Sequence, residues 1–123
     1  MHAWGFDYVT TVYWHKHRKG RRMGMGFWFR NEVEELLVGK VRGDRVRPFR
    51  CQLPNIIGAP VEEHSKKPQA FRDLIETATL KRSKYERVEL FARERVPGWT
   101  AVGGAIDGLD IRTAIARLAR EER

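Results

Sequence analysis

Phe6-Asp7-Tyr8-Val9-Thr10-Thr11-Val12-Tyr13-Trp14 is the stretch on which the fold turns. From Tyr8 to Tyr13 every residue is β-branched or aromatic, which suits the pleated surface of a strand. Working outward, Val33 to Val38 ends in Leu36-Leu37-Val38 and stops at Gly39, while Val88 to Ala92 and Trp99 to Val102 are further short apolar runs. Ile56-Ile57, bracketed by Pro54 and Pro60, makes a short fifth strand. Two helices are better specified. Pro68 suits a first helical position, where its missing N–H costs nothing, and Phe71, Leu74, Ile75 and Ala78 follow at helical spacing. Asp110 is placed to cap a second helix whose Ile111, Ala114, Ile115 and Leu118 form one apolar stripe. Strands followed by helices predict an α/β domain whose sheet is covered on both faces.

With 123 residues, 41% of them hydrophobic, the chain can bury a core and is expected to form a single domain over residues 1–123. It carries no internal repeat, low-complexity tract or linker. One cysteine, Cys51, excludes an internal disulfide and fits a reducing cytoplasm. No apolar run approaches the roughly 20 residues of a membrane helix, and the mixed aromatic and charged N-terminus is unlike a signal peptide. His15, His17, His64 and Cys51 lack the spacing of a zinc site, so no metal is expected.

The charge is unevenly placed. Lys+Arg 24 against Asp+Glu 16 gives +8, and the pI is near 10.1. His15 to Arg22 contributes +5 and Lys40 to Arg50 contributes +4, so the remainder of the chain is close to neutral. Both stretches read as loops, the first continuing to Gly26 and broken by Gly20, Gly24 and Gly26, the second broken by Gly43 and Pro48. A charge run is usually solvated surface. Here the excess is concentrated beside Phe27, Trp28 and Phe49, which favours an anionic partner such as nucleic acid. Lys16, Arg18, Lys19, Arg21, Arg22 and Arg30 are the candidate phosphate contacts, with Trp28 as a base-stacking residue. A tryptophan beside a strand is, however, most often core.

Several ordered pieces carry a resemblance. Trp28-Phe29-Arg30-Asn31, Glu34, Leu37-Val38-Gly39, His64-Ser65-Lys66-Lys67-Pro68, Glu89-Leu90-Phe91-Ala92-Arg93, Gly98-Trp99 and Gly103 occur in an order and spacing that resemble the adenine-N6 methyltransferases of the MT-A type. The resemblance runs from Gly5-Phe6 to about Asp110. It implies a partial Rossmann-like sheet with flanking helices that binds S-adenosylmethionine, and methyl transfer to the N6 of adenine in DNA or RNA. By the same resemblance Lys67 lies near the methionine carboxylate of the cofactor, Glu89 accepts from its ribose or another donor, Arg93 helps cradle the ribose side, and Arg95 falls where family members often have a polar cofactor contact. Gly104 is left with backbone contacts alone.

Two departures qualify that expectation. After Gly103 the family usually has Asn followed by Gln or Glu, whereas this chain has Gly104-Ala105. The second departure is larger. The five prolines follow Arg47, Leu53, Ala59, Lys67 and Val96, so the family's Asp-Pro-Pro-Trp tetrad, which positions the adenine amine, does not occur, and no catalytic residue is assigned. Met1 to Phe6 resembles an interior segment of longer relatives, so the chain reads as the C-terminal, cofactor-binding portion of such an enzyme. A complementing N-terminal chain or a homodimer is the partner this implies. The alternative is a non-catalytic nucleic-acid-binding or partner subunit that keeps the fold.

Overall fold

β1 (Phe6–His17) is the centre of a three-stranded sheet, flanked by β2 (Val33–Val41) and β3 (Ile56–Pro60) in the order β2-β1-β3. The computed structural model describes residues 1–20, 24–45, 52–62, 66–79 and 86–121. Its backbone divides into two compact units, Met1–Lys81 and Arg82–Arg123.

In the first unit β1 pairs antiparallel with β2, from Phe6 opposite Val41 to His15 opposite Val33, and parallel with β3, from Tyr13 opposite Ile56 to His17 opposite Pro60. β1 therefore runs three residues past Trp14. His15 to His17, expected in a loop, belong to the strand because two neighbours satisfy their backbone groups at once. Lys40 likewise extends β2 beyond Val38. The register slips between Tyr8 and Thr10, a bulge that brings Tyr8 and Thr11 to the same face, where their hydroxyls meet at 2.8 Å.

α1 (Gln69–Thr79) covers the opposite face. It starts one residue later than expected, with the Pro68 carbonyl accepting from the Phe71 N–H. Phe71 meets Trp14 edge-on at 6.0 Å and 83°, Ala59 completes the buried cluster, and Leu36, Ile57 and Ala70 pack round it. Trp14 is 2% exposed, and its indole N–H donates to the Ala59 carbonyl at 2.9 Å, so burial leaves no polar atom unpaired. The face bearing Phe6, Tyr8, Tyr13, Val33, Leu37 and Ile56 stays exposed. Helices on both faces were expected, but α1 is the one α-helix among the described residues of this unit.

The second unit holds β4 (Val88–Leu90) parallel to β5 (Thr100–Val102), then α2 (Gly104–Asp107) and α3 (Ile111–Glu121). α3 lies against β5 with Ala114 buried. Asp110 caps it as the sequence predicts, accepting from the N–H groups of Arg112 and Thr113 at 3.0 and 3.2 Å. Those bonds hold its carboxyl below the usual range, with the Thr113 hydroxyl the largest cause. No helix among the described residues is long and apolar enough to cross a membrane.

Candidate cofactor and nucleic-acid site

The carboxyl ends of parallel strands are where open α/β sheets gather their ligands, because the loops that follow diverge there. Each unit has one such end, and each carries residues singled out in the sequence.

At the end of β1 and β3 in the first unit, Glu34 bridges two cations. Its Oε2 lies 3.0 Å from Lys16 Nζ, and its Oε1 accepts from Lys67. Strand pairing explains the arrangement. Trp14 stands opposite Glu34 in the ladder, Lys16 lies two residues further along the same face, and Lys67 arrives just before α1. The Lys16 ammonium also sits 5.5 Å above the Trp14 ring. The Lys67 hydrogen bond, followed after an opposing burial effect by that of Lys16, holds the Glu34 carboxyl below its ordinary value. Two ammonium groups and one carboxylate leave this cluster with one positive charge in excess, suited to an anionic ligand group. Lys16 was expected to contact phosphate. Its side chain, 16% exposed, instead faces Glu34 and Trp14.

The end of β4 in the second unit is built differently. Glu89 is half-buried on the strand, and Phe91 then takes a left-handed conformation with φ 60°, a strained choice for a bulky residue. That turn sends Ala92 inward, where its N–H donates to the Val102 carbonyl at 3.0 Å, and leaves Arg93 and Arg95 exposed. Gly103 passes so close that a Cβ on it would lie 2.8 Å from the Ala92 carbonyl oxygen. The two strand ends are thus locked together at backbone distance. Gly104 follows with no side chain to offer.

The candidate nucleic-acid residues lie in the first unit. Arg18 and Lys19 follow the end of β1, and Arg30 and Trp28 lie on the exposed loop before β2, whereas Arg21 and Arg22 fall outside the described residues, as does Cys51. Trp28 is 88% exposed, so the core reading of it does not hold. Sequence reasoning missed the part played by Glu34, which it named only as one piece of the family resemblance. The alternation along β1 and β2 carries the signal, once their register is known. Among the described residues no group of three or more His, Cys, Asp or Glu is placed to hold a metal ion.

No curated protein matches the chain. The family model of MT-A70 matches residues 1–105, a span that takes in β1 to β5, the Lys16–Glu34–Lys67 cluster and the Phe91 turn. Members of that family are methyltransferases that generally use S-adenosylmethionine, and this chain belongs to the MT-A70 family.

Proposed function

We propose that the chain supplies the cofactor-binding part of an S-adenosylmethionine-dependent methyltransferase acting on the N6 of adenine in DNA or RNA. The family match over residues 1–105 carries this reading. The residues present suit the cofactor's polar groups, since the Lys16–Glu34–Lys67 cluster has a cation to spare for a carboxylate and Glu89 is a half-buried acceptor at a strand end. In this reading Lys67 opposes the methionine carboxylate, Glu89 accepts from a ribose hydroxyl or another donor of the cofactor, Arg93 flanks the ribose side, Arg95 makes a further polar contact, and Gly104 contributes backbone alone. S-adenosylmethionine, when bound, supplies an electrophilic methyl group on a sulfonium centre. Arg18, Lys19, Arg21, Arg22 and Arg30 neutralise phosphates and fix the register of the nucleic acid.

The 123 residues contain no Asp-Pro dipeptide, and in this reading a complementing chain or segment supplies the group that positions the adenine amine. Calorimetric titration with S-adenosylmethionine tests the cofactor assignment. Binding should be saturable in the wild type and weakened at least tenfold by Lys67→Ala or Glu89→Ala, by the loss of a charged hydrogen-bond partner. A flat titration of the folded chain would leave the second reading.

That reading is a non-catalytic subunit that binds nucleic acid, and Gly104-Ala105 favours it, since neither residue brings a side-chain hydrogen bond to adenosine. Methyl incorporation into adenine by the isolated chain eliminates it.

A further inference from the structure

The loop between β1 and β2 is built to hold a row of aromatic side chains in solvent. Phe27, Trp28 and Phe29 are 97%, 88% and 88% exposed, and Met25 beside them is nearly as open. Scattered exposed apolar residues are normal, but three consecutive large aromatics at a loop tip are a contiguous patch that asks for a ligand.

The loop's shape is fixed by its backbone. Asn31 N–H donates to the Met25 carbonyl at 3.1 Å, and Gly24 N–H donates to the Glu32 carboxylate at 2.7 Å. Lys16 N–H donates to the Glu32 carbonyl, which ties the loop's base to β1. Glycine is required twice. A Cβ on Gly24 would overlap the Asn31 carbonyl oxygen, and one on Gly26 would overlap the Phe29 carbonyl oxygen. The neck is therefore closed at backbone contact, and among the described residues of the loop the aromatic side chains stay open to solvent. Phe27 and Trp28 meet edge to face at 6.1 Å and 70°.

The surroundings are cationic. Arg18 and Lys19 stand at one root of the loop, with the Arg18 guanidinium beside Gly24, and Arg30 follows the aromatics directly. From Met25 to Asn31 there is no acidic residue, and Glu32 is engaged by Gly24. A ligand that fits must offer flat apolar faces and negative charge at close spacing. Unpaired nucleotides do both, whereas a duplex keeps its base faces inside the stack.

We propose that Phe27, Trp28 and Phe29 form a stacking platform for unpaired bases, so that the nucleic acid this chain engages is single-stranded where it crosses the loop. This rests on the nucleic-acid reading above and goes beyond it, since phosphate contacts alone bind single strands and duplexes alike.

Fluorescence anisotropy with the full chain tests it, using oligomers of about 12 nucleotides, within the site size of such surfaces. The probes are oligothymidylate, oligouridylate, a mixed-sequence duplex, and an abasic phosphodiester of the same length. The wild type should bind the base-bearing single strands at least tenfold more tightly than the abasic oligomer or the duplex. The variant Phe27→Ala/Trp28→Ala/Phe29→Ala should lose about tenfold to a hundredfold on the base-bearing strands and nothing on the abasic one. Trp28→Phe should keep most of the preference. All three positions are exposed, so circular dichroism of the triple variant should match the wild type. Equal affinity for base-bearing and abasic strands overturns the platform while leaving the phosphate contacts in place. Failure to bind any oligomer removes the nucleic-acid reading and the platform with it. A wild-type dimer that the triple variant converts to monomer, without base dependence, overturns it in favour of a second copy of the chain covering the loop.

Discussion

Trp14 and Trp28 are fourteen positions apart in the first unit and live in opposite environments, one 2% and the other 88% exposed. Trp14 is held by three strands and α1, with its ring against Phe71 and its N–H on the Ala59 carbonyl. Trp28 is presented by a loop whose order comes from backbone bonds and two glycines. The same residue type thus serves packing in one place and presentation in the other, and what separates them is whether strand register supplies neighbours on the same face.

The comparison breaks most visibly under truncation. Trp14→Ala should cost about 3–5 kcal/mol, because it deletes a buried indole and strands the Ala59 carbonyl. Trp28→Ala should change stability by less than about 0.5 kcal/mol. Urea denaturation of the two variants checks this directly. Comparable losses would mean that Trp28 is packed in solution.

Gly26→Ala comes next. The added methyl meets the Phe29 carbonyl oxygen, so the loop has to open, at a cost of about 1–3 kcal/mol typical of overpacking. Deuterium exchange should show faster exchange at Asn31 N–H, the donor that closes the loop, with the β1–β2 ladder unaffected. Unchanged protection at Asn31 would mean that the neck is not closed as described.

Much of this architecture was legible in the sequence. The β-branched run before Trp14, the apolar spacing from Phe71 to Ala78 and the Asp110 cap each depend on residues close together in the chain, and each appears where expected. The continuation of β1 to His17 was not legible, since its evidence is pairing with residues some 15 to 45 positions away. Glu34 was hidden for the same reason: its two lysines come from a neighbouring strand and from the approach to α1. The exposure of Trp28 was hidden for another reason. Composition makes a tryptophan beside a strand a core residue, and what overrules this is the paired exclusion at Gly24 and Gly26, which depends on backbone distances.

The smallest effect sharpens the electrostatic side of the comparison, because Glu34 shares the Trp14 face and has no counterpart at the loop tip. Lys67 and then Lys16 lower its carboxyl below the ordinary 4.5 in the folded chain. As pH falls, the unfolded chain takes up this proton first, so the stabilisation is complete at neutral pH, declines as pH drops through the ordinary glutamate range, and is gone below the folded value. Glu34 is partly exposed, and solvent screening limits the effect to under about 1 kcal/mol. Glu34→Gln should therefore be slightly less stable than the wild type at pH 7, and the gap should close as pH falls towards 3. Trp28→Ala should show no such convergence. A Glu34→Gln difference that stays constant across this range would mean that Glu34 acts through packing and not through its charge.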